Sequence, residues 1–192
     1  MVSSTARNFK ITTMADWEHA QALTGSETVP FRCGHGYDVH RLGSDGPLMI
    51  GGCKLAESGG LIGHSDGDVL LHAICDALLG AAAQGDIGRH FPPTDPKYKG
   101  CDSRELVRAT VEILRRSDFV PSQVDATVAA EAPRLAPHIA AMRALIAADL
   151  GIGIDAVSVK ATTTEGLGFV GRREGIAAYA VALIHKRPRS QR

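Results

Sequence analysis

Asp38 and His40 stand two apart in the run Gly34-His35-Gly36-Tyr37-Asp38-Val39-His40. In a strand, residues two apart project to the same face. A carboxylate and an imidazole so placed can form half of a metal site, or simply hydrogen-bond to one another. Farther on, His64-Ser65-Asp66-Gly67-Asp68 leads into Val69, Leu70, Ala73, Ile74, Ala77 and Leu78, which recur at helical spacing with His72 among them. Ser65 with Asp68 three residues on reads as an S-x-x-D capping box, so Ser65 is the expected N-cap. Asp68 and Asp76 share the helix face of His72 and are the expected acceptors for its second ring nitrogen. A core histidine satisfied by a neighbour is the plain alternative. Together Asp38, His40 and His72 would supply two nitrogens and one oxygen with a position left open, the pattern of a catalytic zinc site.

Three other segments have chemistry in their composition. Asp86-Ile87-Gly88-Arg89-His90-Phe91-Pro92-Pro93-Thr94-Asp95 is polar, rich in Gly and Pro, and long for a connector; such loops are often functional. Lys160-Ala161-Thr162-Thr163-Thr164-Glu165-Gly166 offers hydroxyls and open backbone amides suited to phosphate oxygens. Glu165 could hold a hard cation such as Mg²⁺, although threonines are also ordinary strand residues. Ala130-Glu131-Ala132-Pro133-Arg134-Leu135-Ala136 follows a strand and precedes a helix, where exposed backbone could meet a base edge.

The elements that must position these residues are legible in outline. Strands are expected at Gly34–His40, Leu48–Ile50, Asp125–Ala130, Val157–Thr164 and Ala177–Ile184. Helices are expected after Ser65, after the Asp102-Ser103-Arg104-Glu105 capping pattern, and from Pro137 to Leu150 with Gly151 as its stop. Gly85 to Lys99 reads as loop. The fold class is α/β (α+β), a sheet with helices packed on it.

Composition bounds the rest. The chain has 192 residues, 21 Lys+Arg against 21 Asp+Glu, and 44% hydrophobic residues, which suits a globular chain. Zero formal charge and the lack of a basic run remove the usual footprint for nucleic acid. The longest apolar run, Ala177 to Ile184, is far short of the roughly 20 residues a membrane span needs. Cys33, Cys53, Cys75 and Cys101 form no C-x-x-C pair and read as reduced, mostly buried thiols of a cytosolic-type compartment. Residues 1–30 form an extension, expected to be a disordered tail, a misassigned start or a targeting segment, with 31–186 the main domain and 187–192 a basic tail. The expected location is the cytoplasm of a bacterium, or a plastid-type organelle if the extension is a transit peptide.

D-V-H, H-S-D-G-D-V-L-L-H-A, D-I-G-x-x-F-P, D-S-R-E-L, A-P-x-x-x-P-H-I and K-A-T-T-T-E-x-L-G-F-x-G-R occur in that order between Asp38 and Arg172. Taken together they resemble the 2-C-methyl-D-erythritol 2,4-cyclodiphosphate synthases of the non-mevalonate isoprenoid pathway. The resemblance implies a homotrimer of subunits with four-stranded sheets around a central channel, helices on one face, and active sites between neighbours. It implies a cytidine diphosphate substrate, 4-diphosphocytidyl-2-C-methyl-D-erythritol 2-phosphate, cyclised with release of CMP. Zinc would fall on Asp38, His40 and His72, and a second cation, Mg²⁺ or Mn²⁺, on Glu165. His64 and Ser65 would contact the methylerythritol phosphate, and His64 and Thr163 would support the transition state. Asp86, Ile87 and Gly88 would line the sugar side, with Phe91, Thr94 and Asp95 in a flap. Ala130, Ala132, Pro133, Arg134, Leu135 and Ala136 would cradle cytosine, while Thr162, Thr163 and Thr164 would hold the diphosphate. Phe169 and Arg172 would ring a channel able to take an isoprenoid diphosphate.

Four positions depart from the commonest pattern: Gly166 for Lys or Arg, Glu131 for Gln, Arg173 for Gly or Lys, and Tyr179 for Glu. None is an expected metal ligand. A zinc-dependent phosphohydrolase and a non-catalytic isoprenoid-diphosphate-binding trimer are the competing expectations. The base-cradling segment speaks against the first and the intact metal residues against the second.

Overall fold

The computed structural model describes residues 10–24 and 31–187. The chain divides into two units, Met1–Pro30 and Phe31–Arg192. The first holds a helix, α1 (Met14–Thr24). Its start is a reciprocal cap: Asp16 accepts from the Thr13 amide at 2.8 Å, and Thr13 Oγ1 accepts from the Asp16 amide at 3.2 Å. The last five residues of the expected basic tail, 188–192, lie outside the described residues.

In chain order the second unit contains strands β1 (Phe31–Leu42), β2 (Leu48–Ile50), β3 (Cys53–Ala56) and β4 (Leu61–Ile62), then helices α2 (Val69–Ala81), α3 (Ile87–His90) and α4 (Ser103–Arg116). Strand β5 (Phe119–Ala129), helix α5 (Ile139–Leu150), strand β6 (Val157–Thr162), the one-turn helix α6 (Gly168–Gly171) and strand β7 (Gly175–Lys186) complete it. The main sheet has five strands in the order β4-β1-β7-β5-β6, all antiparallel neighbours except the parallel β5–β6 pair. The expected count of four is therefore corrected: β4, only two residues long, carries no periodic signal.

Helices α2, α4 and α5 cover one face of the sheet. Ile176, Ala178, Ala180, Ala182 and Ile184 alternate along β7 toward them and are buried. The contact between α2 and β1 is unusually close because β1 has no side chain where the helix crosses it. A Cβ on Gly34 would sit 2.0 Å from the Ala77 carbonyl oxygen, and one on Gly36 1.9 Å from that of Ala73. Only glycine permits this approach, and it brings His72 against the end of β1.

Three local expectations change. Ser65 is not the cap of α2; Asp68 is, accepting from the Leu71 amide at 3.1 Å, because the chain reaches helical geometry only at Val69. Residues 85–99 are not plain loop: Asp86 caps α3, and Asp95 caps a 3₁₀ turn at Pro96–Tyr98. The last helix opens as a 3₁₀ turn, Ala136–His138, before α5, and ends at Gly151 with φ +70° as expected. The four cysteines are free, but only Cys75 is buried; Cys33 lies on the outer sheet face, where alternation along β1 leaves it exposed.

Candidate metal and nucleotide site

Asp38 and His40 leave β1 on its helix-covered side, and His72 meets them from the first turns of α2. Asp38 Oδ2 lies 2.9 Å from His40 Nε2 and 3.0 Å from His72 Nδ1, and the two nitrogens are 3.1 Å apart. Three ligand atoms thus converge on one point. Tetrahedral zinc with bonds of about 2.0–2.1 Å would set its ligands roughly 3.3 Å apart, so a few tenths of an ångström of relaxation would accommodate the ion. Two imidazoles and a carboxylate also match its ligand preference.

The remaining ring nitrogens are fixed from outside. His40 Nδ1 donates to the Ile62 carbonyl at 2.8 Å, so in the neutral ring its Nε2 carries the lone pair. The β4 strand, invisible in the sequence pattern, supplies that carbonyl. His72 Nε2 lies 3.0 Å from both Ser65 Oγ and Ser103 Oγ. The expected acceptors, Asp68 and Asp76, are elsewhere: Asp68 takes the Gly51 and Gly52 amides at 2.9 and 2.7 Å, and Asp76 takes the Ile87 amide at 2.7 Å. Sharing a helix face did not suffice, because cap and loop amides were nearer. Burial alone would raise the Asp38 carboxyl, but without a cation the His40 and His72 rings, when protonated on the nitrogens that face it, hydrogen-bond to it and hold it below the usual carboxylate range. Burial likewise opposes charge on His40, yet the Asp38 carboxylate raises its pKa above the ordinary value.

Around the triad, His64 Nε2 bonds the Asp95 carbonyl at 3.3 Å, so the 91–95 segment sits over it. Phe91 packs edge-on against Tyr98, with centroids 5.5 Å apart. Asp86 caps α3 through one carboxylate oxygen, Oδ1 accepting from the Arg89 amide at 2.9 Å, while the Ile87 amide goes to Asp76 and Gly88 lies within α3. Thr94 is exposed.

A second group gathers at the far strands. Ala130, Glu131, Pro133, Arg134, Leu135 and Ala136, with Ala161, Thr162 and Thr163, line a cavity of about 410 Å³, within the range of small-molecule sites. Ala132 precedes a cis peptide to Pro133. Glu165 adopts a left-handed φ of +53° and accepts from Thr163 Oγ1 at 2.9 Å. Glu131 accepts from the Thr164 amide at 2.8 Å and from its hydroxyl at 3.1 Å, tying the two walls of the cavity together. The sequence placed Glu131 in the base-cradling segment and flagged it as a departure from pattern, but gave its side chain no partner.

Register relates the two groups. Val39 pairs Ala177, which pairs Ala129, which pairs Thr162. Three strand spacings of about 4.8 Å thus separate the triad from the threonines, at the same end of the sheet. Phe169 packs on Ala129, Val170 and Ala177, and Arg172 pairs with Glu174 through two bonds of 2.9 and 3.1 Å.

A five-stranded mixed sheet with helices on one face, and an Asp-His-His cluster at its end, defines an α/β protein with a candidate metal centre. Residues 31–185 match the model of the YgbB family, and the chain belongs to that family. The 2-C-methyl-D-erythritol 2,4-cyclodiphosphate synthase of Thioalkalivibrio sulfidiphilus is 61% identical over 153 residues, 80% of this chain and 96% of that protein. The bifunctional IspDF of Campylobacter jejuni superposes with a TM-score of 0.79 at 41% identity, over 81% of this chain and 42% of that longer one. The CDP complex of Plasmodium falciparum IspF superposes with a TM-score of 0.72 at 29% identity, over 84% of this chain and 99% of the other.

Proposed function

We propose that this chain cyclises 4-diphosphocytidyl-2-C-methyl-D-erythritol 2-phosphate to the 2,4-cyclodiphosphate with release of CMP. One juxtaposition carries this: a three-ligand cluster and a cavity of about 410 Å³ at the same end of one sheet. An oxygen of the 2-phosphate attacks the β-phosphorus; the bond from that phosphorus to the CMP phosphate breaks, and CMP leaves with the electron pair. The nucleophile is already ionised near neutral pH, so the chain need not supply a general base.

The work of the residues is orientation and charge placement. Ala130, Ala132, Pro133, Arg134, Leu135 and Ala136 hold the cytosine. Thr162, Thr163 and Thr164 hold the diphosphate, once its phosphate oxygens take the Thr164 amide and hydroxyl from Glu131. His64 and Ser65 hold the attacking phosphate, with Asp86, Ile87 and Gly88 on the sugar and Phe91, Thr94 and Asp95 closing over it. Asp38, His40 and His72 hold zinc, and Glu165 holds Mg²⁺ or Mn²⁺. The cations, when bound, neutralise phosphate charge and lower the repulsion between attacking and leaving groups.

The separation between the two groups of residues supports a homotrimer in which neighbours complete one another's sites. So does the uncovered sheet face, where Tyr37, Val39, Tyr179 and Val181 are each more than 40% exposed. An isoprenoid diphosphate in the trimer channel would meet Phe169 and Arg172, but Arg172 is engaged by Glu174 and Tyr179 packs on Tyr37 with centroids 5.0 Å apart. The 61% identical bacterial relative supports a cytoplasmic setting. Among the described residues no helix is long and apolar enough to cross a membrane.

The test is the product. Phosphorus NMR of a reaction on the cytidine diphosphate substrate should show a cyclic diphosphate; a linear, hydrolysed phosphate would move the assignment to a phosphohydrolase.

A further inference from the structure

Ser103 is the first residue of α4 and is fully buried. Its side chain is surrounded by three polar groups. Its hydroxyl donates to Asp66 Oδ1 at 2.5 Å, and its amide donates to Asp66 Oδ2 at 3.1 Å. Its oxygen lies 3.0 Å from His72 Nε2 and 3.3 Å from Ser65 Oγ.

Proton counting assigns the directions. An ionised carboxylate only accepts, so the single Ser103 hydroxyl proton is committed to Asp66. The Asp66 carboxylate is held there by two backbone amides, those of Asp68 at 3.2 Å and Ser103 itself. Toward His72, Ser103 Oγ can then only accept. A proton must sit on His72 Nε2, and with a cation beside Asp38 taking the place of a ring proton, the lone pair must sit on Nδ1, facing Asp38 and His40. Ser65 cannot dictate this alone: its hydroxyl proton is uncommitted, so it can donate to His72 or accept from it.

We infer that Asp66 and Ser103 are positioning residues that fix His72 with Nε2–H donated to Ser103 and Nδ1 presented to a cation. The chain runs from the Asp66 carboxylate through the Ser103 hydroxyl to the imidazole. It is the counterpart, built from two side chains, of the Ile62 carbonyl on His40. No covalent or redox change is involved. Outer hydrogen bonds of this kind orient a metal-binding imidazole and raise its basicity.

The inference rests on the reading of Asp38, His40 and His72 as a zinc site, and one set of titrations separates the two. Zinc affinity is measured by competition with a chromophoric chelator on the full chain, for the unaltered protein, Ser103→Ala and Ser103→Thr. Ser103→Ala should lower affinity by about 10–100-fold, and Ser103→Thr, which keeps the hydroxyl, should restore most of it. In parallel, the His72 Nε2–H resonance of the zinc-loaded protein should be shifted downfield and protected from exchange. It should move in Ser103→Ala and stay in Ser103→Thr. The resonance in the unaltered protein needs no variant, so a folding failure does not shelter the idea. If the unaltered chain binds no zinc, the metal reading fails. If it binds zinc and Ser103→Ala matches it within twofold, or the Nε2–H resonance is unchanged, the relay is overturned and Ser103 is only the start of a helix.

Discussion

His40 Nε2 lies 3.1 Å from His72 Nδ1, across the contact between β1 and α2. Both nitrogens present lone pairs when their outer neighbours, Ile62 on one side and Ser103 on the other, take the ring protons. Two lone pairs and a carboxylate oxygen at this spacing repel unless a proton or a cation lies among them. Most of what is expected of the protein follows from that crowding.

Removing one of the three ligand atoms should therefore abolish tight zinc binding. His72→Ala should lose more affinity than the roughly 10–100-fold typical of losing an outer hydrogen-bond partner, and should release no CMP. Elemental analysis and a CMP assay check this; full zinc with full turnover would remove His72 from the ligand set. Glu165→Gln should keep zinc yet lose the stimulation of turnover by Mg²⁺.

The approach of α2 to β1 gives a prediction that touches no ligand. In Gly36→Ala the new methyl meets the Ala73 carbonyl oxygen, which an added Cβ would approach to 1.9 Å. The helix must retreat, carrying His72 away from Asp38. Denaturant unfolding should show a loss of about 1–3 kcal/mol, and zinc affinity should fall in the same variant. Unchanged zinc affinity would mean that the spacing of the two elements does not set the site.

Without a cation, Asp38 and His40 should leave a mark on stability against pH. Asp38 is lowered in the fold, so its contribution is present above its unfolded value, about 4, and fades as pH falls toward its folded value. His40 is raised, so its contribution is complete below its unfolded value, about 6.5, and fades as pH rises through its folded value. Their shared stabilisation is thus fullest between about pH 4 and 6.5. Melting temperatures of EDTA-treated protein should show this window, and His40→Gln should flatten its upper edge. Zinc competes with the His40 proton, so zinc affinity should rise with pH over that same edge.

The cavity gives a binding prediction separable from the metal. Ala136→Phe places a ring in the space of about 410 Å³ lined by Ala130, Pro133 and Thr162. The KM for the cytidine substrate should rise at least about tenfold, the effect of roughly 1.4 kcal/mol, while zinc content stays at the unaltered level. An unchanged KM would place the nucleobase elsewhere.

The candidate ligand cluster was legible because period two in a strand and 3.6 in a helix are strong signals: Asp38 with His40, then His72 on an apolar helix. The glycines at 34 and 36 allowed the close approach but did not announce it. Their outer partners could not be read. Ser103 opens a helix and looks only like part of a cap; its contact with His72 spans a separation of 31 residues. Asp66 stands only as one residue of the run before α2, and Ile62 sits on a two-residue strand with no pattern. Asp68 misled because burial and three backbone amides claimed its carboxylate, and no local rule reveals which donor an acid will find. The segment 130–136 was legible as a turn, yet its cavity depends on β6 lying parallel beside β5, a tertiary fact.

The central claim is metal-assisted cyclisation at Asp38, His40 and His72, and the most direct measurement is CMP release from the cytidine diphosphate substrate. It should be followed in the purified protein, after treatment with EDTA, and after zinc and Mg²⁺ are restored. Release should be present, then lost, then recovered, with the product cyclic in both active states. Release that survives complete removal of zinc would contradict the claim.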